Sequence, residues 1–137
     1  MIDDMPTQRV LIVDDQSSLL TLLEVLLRDA LPAAEVVTAN SASRALAVLH
    51  DQPCDLVVSD VNMPRHDGLF LLNEVKRQWP TVQVILMSGM PLPEQAPAAG
   101  ADGFLLKPFD VQEFQKTVRA VLSEEPQFIG LAVDIQA

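Results

Sequence analysis

Cysteine is almost missing from this chain: of 137 residues only Cys54 is one. A lone thiol closes no internal disulfide and offers no zinc constellation, so a disulfide scaffold and a structural zinc site are both excluded. Cys54 reads as an ordinary buried thiol in a reducing compartment. Positive charge is scarce as well. Nine Lys and Arg stand against nineteen Asp and Glu, a formal net charge of -10. That balance argues against nucleic acid as a direct partner, because phosphate contacts rest on Lys and Arg. No stretch approaches the roughly eighteen consecutive apolar residues of a membrane span. The opening residues, MIDDMPTQ, are acidic and lack the apolar centre of a signal peptide. Internal repeats and low-complexity segments are also lacking. What the chain does have is apolar residues, 49% of the total. At this length that suffices for the core of about one domain. The composition predicts a soluble, cytosolic, single-domain protein.

Five short apolar runs recur: Val10-Leu11-Ile12-Val13, Glu35-Val36-Val37-Thr38, Leu56-Val57-Val58, Val82 to Met87, and Phe104-Leu105-Leu106. Three are nearly continuous, as strands covered on both faces should be. Stripes at helical spacing separate them: Leu19, Leu22, Leu23, Leu26 and Leu27; Ala42, Ala45, Leu46 and Leu49; Leu69, Leu72, Val75 and Trp79; and Val111, Phe114, Val118, Val121 and Leu122. Asp110 with Glu113 three residues on reads as a capping box for the last of these. Strand alternating with helix predicts an α/β fold, a parallel sheet with helices on both faces.

In such a sheet the ligand site lies outside the carboxyl ends of the strands. Those ends are polar here. The first strand runs into Asp14-Asp15, the third into Asp60, the fourth into Ser88-Gly89 and the fifth into Lys107-Pro108. Singly, each has a plain reading: a helix cap for Asp14 or Asp15, a turn residue for Asp60, a loop hydroxyl for Ser88, a solvated end for Lys107. Jointly, three acids, a hydroxyl and a lysine converge on one edge. Clustered carboxylates repel unless a cation joins them. An all-oxygen site suits Mg²⁺, which takes a few carboxylates, waters and a phosphate oxygen. A phosphoryl group would bridge metal, lysine and hydroxyl, and a carboxylate can itself be the nucleophile.

The segments VLIVDDQ, LVVSDVNMPRHDG, VILMSG and GADGFLLKPF, in this order and spacing, resemble the signature of the response-regulator receiver domain of two-component signalling. The resemblance covers residues 8–123, with 1–7 left as a flexible N-terminus and 124–137 as a tail or the start of a linker. It implies a flavodoxin-like, doubly wound, five-stranded sheet of order 2-1-3-4-5. It implies that Asp60 is the phosphoacceptor, served by a sensor histidine kinase or a phosphotransfer protein. Asp15 resembles the direct metal ligand, with Asp14 acting through water or sharing the metal, and the backbone carbonyl of Asn62 the third protein ligand. Lys107 resembles the phosphate-binding lysine, in a turn whose Lys107–Pro108 peptide is cis. Ser88 and Phe104 stand at the two switch positions, and Met63-Pro64 with Asp67-Gly68 resemble the turn into the third helix. Beyond its own phosphorylation and dephosphorylation such a domain is not an enzyme, and its output passes to a downstream protein or a fused domain.

Three other readings fit less well. A haloacid-dehalogenase-type phosphatase needs a second acid two residues after the nucleophile, where this chain has Asn62. A degenerate receiver that binds protein without phosphate should lack part of the acidic cluster or its lysine, and none is missing. A flavin site needs a Ser/Thr/Gly-rich loop after the first strand, where DDQSSLL would set two acids against the phosphate. One departure from the family stands out. Between Ser88 and Lys107, where the family builds its fourth helix, lie Pro91, Pro93 and Pro97. An interior proline costs about 3 kcal/mol or more, so that helix is expected to be shortened or irregular.

Overall fold

The computed structural model describes residues 8–90 and 100–123 with their side chains, and the backbone of 127–129. Its elements run β1 (Arg9–Val13), α1 (Ser17–Ala30), β2 (Glu35–Ala39), α2 (Ala42–Asp51), β3 (Leu56–Asp60), α3 (Gly68–Gln78), β4 (Gln83–Ser88), β5 (Gly103–Leu106), α4 (Val111–Leu122) and β6 (Gln127–Ile129). The strands form one sheet of order β2-β1-β3-β4-β5-β6, parallel at every pairing. The alternation of strand and helix is thus borne out, with the first five strands in the order 2-1-3-4-5. The sixth is an addition. It lies within the stretch read as a tail and adds Gln127–Ile129 to the outer edge of β5. The expectation of a shortened or irregular fourth helix falls mainly on residues 91–99, and that of a flexible N-terminus on residues 1–7. Both lie outside the described residues.

The pleat sorts the strand residues into two cores. Leu11, Val13, Val57, Val84, Leu86 and Phe104 join Ala45 and Leu49 of α2 and Leu71, Leu72 and Val75 of α3. Val10, Ile12, Val58, Ile85 and Leu105 join Leu23 and Leu27 of α1 and Phe114, Val118 and Val121 of α4. Each fully buried side chain of this size contributes about 1.5–3 kcal/mol. Burial on both sides explains why β1, β3 and β4 read as continuous apolar runs. The leucine stripe of α1 is broader than its buried face. Leu20, Leu23 and Leu27 are buried, whereas Leu22 is 53% exposed.

Local chemistry fixes the helix starts nearest the carboxyl edge. Asp67 caps α3 by accepting from the Phe70 N–H at 2.9 Å. Asp110 and Glu113 form a full capping box on α4. Ser41 caps α2, accepting from the Arg44 N–H at 3.1 Å. These caps leave the loops short, so the strand ends open directly onto the site.

Candidate functional site

The backbone of Asp14 continues the β1–β2 ladder, its N–H donating to the Ala39 carbonyl at 3.1 Å. Its side chain is fully buried. Oδ1 accepts from the Gln16 N–H at 2.9 Å, which shapes the turn into α1. The capping role open to Asp14 therefore uses one oxygen only. The other, Oδ2, is buried and, among the described residues, without a hydrogen bond. Asp15 next to it is exposed. Asp60 closes β3 at 6% exposure, and Ser88 closes β4 at 3%.

Lys107 follows β5, held by its N–H to the Ser88 carbonyl at 2.7 Å. From there its Nζ reaches 3.1 Å from Asp60 Oδ1 and 3.7 Å from Asp14 Oδ2. The Lys107–Pro108 peptide is cis. Asp14, Asp15 and Asp60 each bring one carboxylate oxygen within 4.8 Å of the others. Four of the residues singled out by sequence, Asp14, Asp15, Asp60 and Lys107, are thereby brought together.

The others stand slightly apart. Ser88 Oγ accepts from the Met90 N–H at 3.1 Å, and among the described residues no hydrogen bond joins it to Asp60. Asn62 is exposed in the turn after Asp60. Phe104 lies inside the core, fully buried on the α2–α3 side of the sheet. Sequence reasoning took Gly68 for a turn residue and missed its contact with the site. A Cβ there would lie 2.4 Å from the Asp60 carbonyl oxygen and 2.8 Å from Val61 Cα. Only glycine lets the start of α3 come so close to the acceptor's backbone. Asp-Gly signals a turn in any sequence, but the close approach depends on the fold.

The charges do not balance. Three carboxylates share one ammonium. Burial raises the Asp14 carboxyl above its ordinary range. The Gln16 N–H opposes this, Asp60 adds to it, Lys107 opposes it again, and Asp15 adds a last increment. The donor set fits a hard divalent cation. All three candidate ligands are carboxylate oxygens, and Asp14 Oδ2, with no hydrogen bond and only the 3.7 Å ion pair to Lys107, is the kind of atom a cation would satisfy.

A doubly wound parallel sheet with acids and a lysine at its carboxyl edge defines an α/β domain with an acidic cluster at the carboxyl ends of its strands. The family profile described as the response regulator receiver domain matches residues 10–119, and the chain belongs to that family. It is 37% identical over 117 residues to the transcriptional regulatory protein ZraR of Escherichia coli K12, covering 83% of this chain and 26% of that protein. It is 32% identical over 117 residues to the probable transcriptional regulator ycf27 of Guillardia theta, covering 84% of this chain and 45% of the other. The chain thus spans about a quarter to a half of these relatives. Among solved structures, the chemotaxis response regulator CheY4 of Vibrio cholerae superposes with TM-score 0.76 at 32% identity, over 85% of this chain and 99% of that one. A LuxR family DNA-binding response regulator from Silicibacter pomeroyi gives TM-score 0.78 at 33% identity, over 92% and 99%.

Proposed function

We propose that this chain is a phosphorylation-dependent switch that accepts a phosphoryl group on Asp60 from a phosphohistidine of a sensor kinase or phosphotransfer protein. One observation carries the reading. The Asp60 carboxylate ends a buried strand with Lys107 Nζ 3.1 Å away and two further carboxylates within 4.8 Å. In the transfer, an Asp60 oxygen forms a bond to phosphorus while the phosphorus–nitrogen bond to the donor imidazole breaks, its electron pair staying on the nitrogen. Lys107 faces the charge on the transferring oxygens, in a site whose groups are already in place before reaction. Asp15, Asp14, Asp60 and the Asn62 carbonyl would hold Mg²⁺, which when bound supplies positive charge to the phosphoryl oxygens.

Phosphate on Asp60 adds strong acceptor oxygens beside Ser88. Ser88 Oγ would leave the Met90 N–H and donate to them, and the state so favoured keeps Phe104 inside the core. Residues 8–123 carry this function, and output passes from the domain to a downstream protein or fused domain in the cytoplasm. Neither nucleic acid nor membrane is a partner of this domain. Among the described residues no helix is long and apolar enough to cross a membrane.

The test is intact-mass measurement after incubation with Mg²⁺ and acetyl phosphate. The chain should gain one acid-stable, alkali-labile phosphate, and Asp60→Asn should gain none. Equal labelling of the two would overturn the assignment.

A further inference from the structure

The sixth strand is short and sits at an edge. β6 pairs with β5 through three residues, Gly103↔Gln127, Phe104↔Phe128 and Leu105↔Ile129. Among the described residues it is bonded on one side only, being last in the sheet. Without it the outer edge of β5 would present free N–H and C=O groups, the template onto which another strand adds. A three-residue ladder at an edge belongs to the low-stability end of a fold and opens on its own. Three residues, 124–126, separate Ser123 at the end of α4 from Gln127. So short a tether keeps the released strand at high effective concentration beside its edge.

The strand that β6 covers is also the one that reaches the candidate site. One residue past β5, the Lys107 N–H donates to the Ser88 carbonyl at 2.7 Å, and Lys107 Nζ lies 3.1 Å from Asp60 Oδ1. The middle pair of the β5–β6 ladder is Phe104↔Phe128. β5 is therefore gripped by the acidic site at its carboxyl end and by β6 along its outer edge. Phe104 and Lys107 share the chain segment that β6 is bonded to, and Ser88 joins it through its carbonyl.

We propose that the outer edge of β5 is a strand-docking surface, that its occupant is Gln127–Ile129 of the same chain, and that occupancy of Asp60 by phosphate tightens this docking. The inference rests on the reading of Asp60 given above. Its direction follows from the switch proposed above. Phe104 is fully buried while β6 is attached, and in the proposed switch the phosphorylated state keeps that ring inside. The two features occur together, so phosphate and docked strand support the same state. Coupling of this kind is reciprocal: whatever phosphate does for the strand, the strand does for phosphate.

Hydrogen–deuterium exchange on the full chain tests this, with Mg²⁺ and with or without beryllofluoride as the phosphoryl mimic. Fluorine NMR reports whether the mimic is bound. The expected result is bound beryllofluoride and amides of 127–129 that exchange about fivefold more slowly or better, both lost in Asp60→Asn. Bound mimic with unchanged or faster exchange at 127–129 overturns the docking inference and leaves the reading of Asp60 standing. No bound mimic in the wild-type chain overturns that reading and this inference with it. Phe128→Pro supplies the reciprocal measurement, since proline removes the ladder N–H from the middle of β6. Its affinity for beryllofluoride should fall by the factor found in exchange, and an unchanged affinity overturns the coupling.

Discussion

The two edges of the sheet hold similar residues in opposite condition. At the amino edge, Lys76 Nζ donates to Asp102 Oδ2 at 2.9 Å and to the Val82 carbonyl at 2.7 Å, and the same Asp102 oxygen accepts from the Val84 N–H at 2.9 Å. The Arg9 N–H donates to Asp55 Oδ2 at 2.8 Å, and the Arg9 guanidinium lies 3.6 Å from Glu35. Among the described residues each of these charges faces an opposite charge or a backbone donor, although Arg9 Nε is buried without a hydrogen bond, and the result ties α3 and the start of β5 into the fold. At the carboxyl edge three carboxylates divide one ammonium, and a fully buried oxygen of Asp14 has no hydrogen bond. Surplus charge of one sign, held in place by backbone, is costly to the empty fold. That surplus, rather than an unbonded atom alone, is what distinguishes the carboxyl edge, and it fits the ligand-binding role proposed for it.

The sharpest way to break this comparison is to remove the lysine from each edge. Lys107→Met should slow phosphate incorporation from acetyl phosphate by about a hundredfold, the scale seen when a preorganised charge partner is lost. Lys76→Met should leave that rate unchanged and instead cost about 2 kcal/mol of stability, because a charge-assisted pair and a carbonyl lose their donor. Intact-mass time courses and urea titrations on both variants read the two effects. A swap of phenotypes, or a rate loss in both, would show that the edges do not divide as described.

Gly68 probes the carboxyl edge without touching a charge. Gly68→Ala places a methyl 2.4 Å from the Asp60 carbonyl oxygen, so backbone must move. The expected cost is about 1–3 kcal/mol, with slower labelling of Asp60 as its neighbour shifts. Gly89 is the control at the same edge, since among the described residues nothing lies within 4 Å of a Cβ there. Gly89→Ala should leave stability near wild type in the same denaturation experiment.

Asp14 tests whether the surplus charge is a burden. Burial raises its carboxyl above the ordinary value of 3.8, so the folded chain binds that proton more tightly than the unfolded one. The resulting penalty is absent below pH 3.8. It grows as pH rises toward the raised value and is complete above it. At neutral pH and without metal, Asp14→Asn should therefore be more stable than wild type by about 1 kcal/mol. Added Mg²⁺ should raise the melting temperature of wild type and raise that of the variant less. A destabilised, metal-free Asp14→Asn would mean that the charge assistance of the Oδ1 bond to the Gln16 N–H, lost in a neutral amide, outweighs the cost of the buried charge.

Much of this was legible because it lies in runs or at their ends. Continuous apolar strands and the acids terminating them need no tertiary knowledge, and the Asp110–Glu113 box is a local rule that the fold keeps. The losses share a cause. β6 escaped because three residues bonded to an edge carry neither a stripe nor an alternation. Leu22 falls on the apolar stripe although it is exposed, because six leucines in the nine residues 19–27 outnumber the positions α1 can bury. The role of Gly68 depends on a neighbour seven or eight residues away in sequence whose carbonyl is close only in the folded chain. What is set by the chain's own neighbours can be read in advance; what is set by packing between elements cannot.

The smallest effect sharpens the account of the amino edge. Cys54 lies in the connection before β3, buried beside Arg9 and Asp55. Burial pushes its thiol up to about 11, with Arg9 pulling it down and then Asp55 and Glu35 adding to the rise. At pH 8 only about one thiol in a thousand is then thiolate, and thiolate is the reactive form. Exposure is a second barrier, since the residue is 5% accessible. The native protein should therefore react with a disulfide reagent far more slowly than the urea-unfolded chain, whose thiol has its ordinary acidity. Because this edge is satisfied without a ligand, its reactivity should be the same with and without Mg²⁺ and acetyl phosphate. Fast labelling of the native protein would show that the amino edge opens. Labelling that changed on phosphorylation would show that the two edges communicate, and would end their treatment as separate regions.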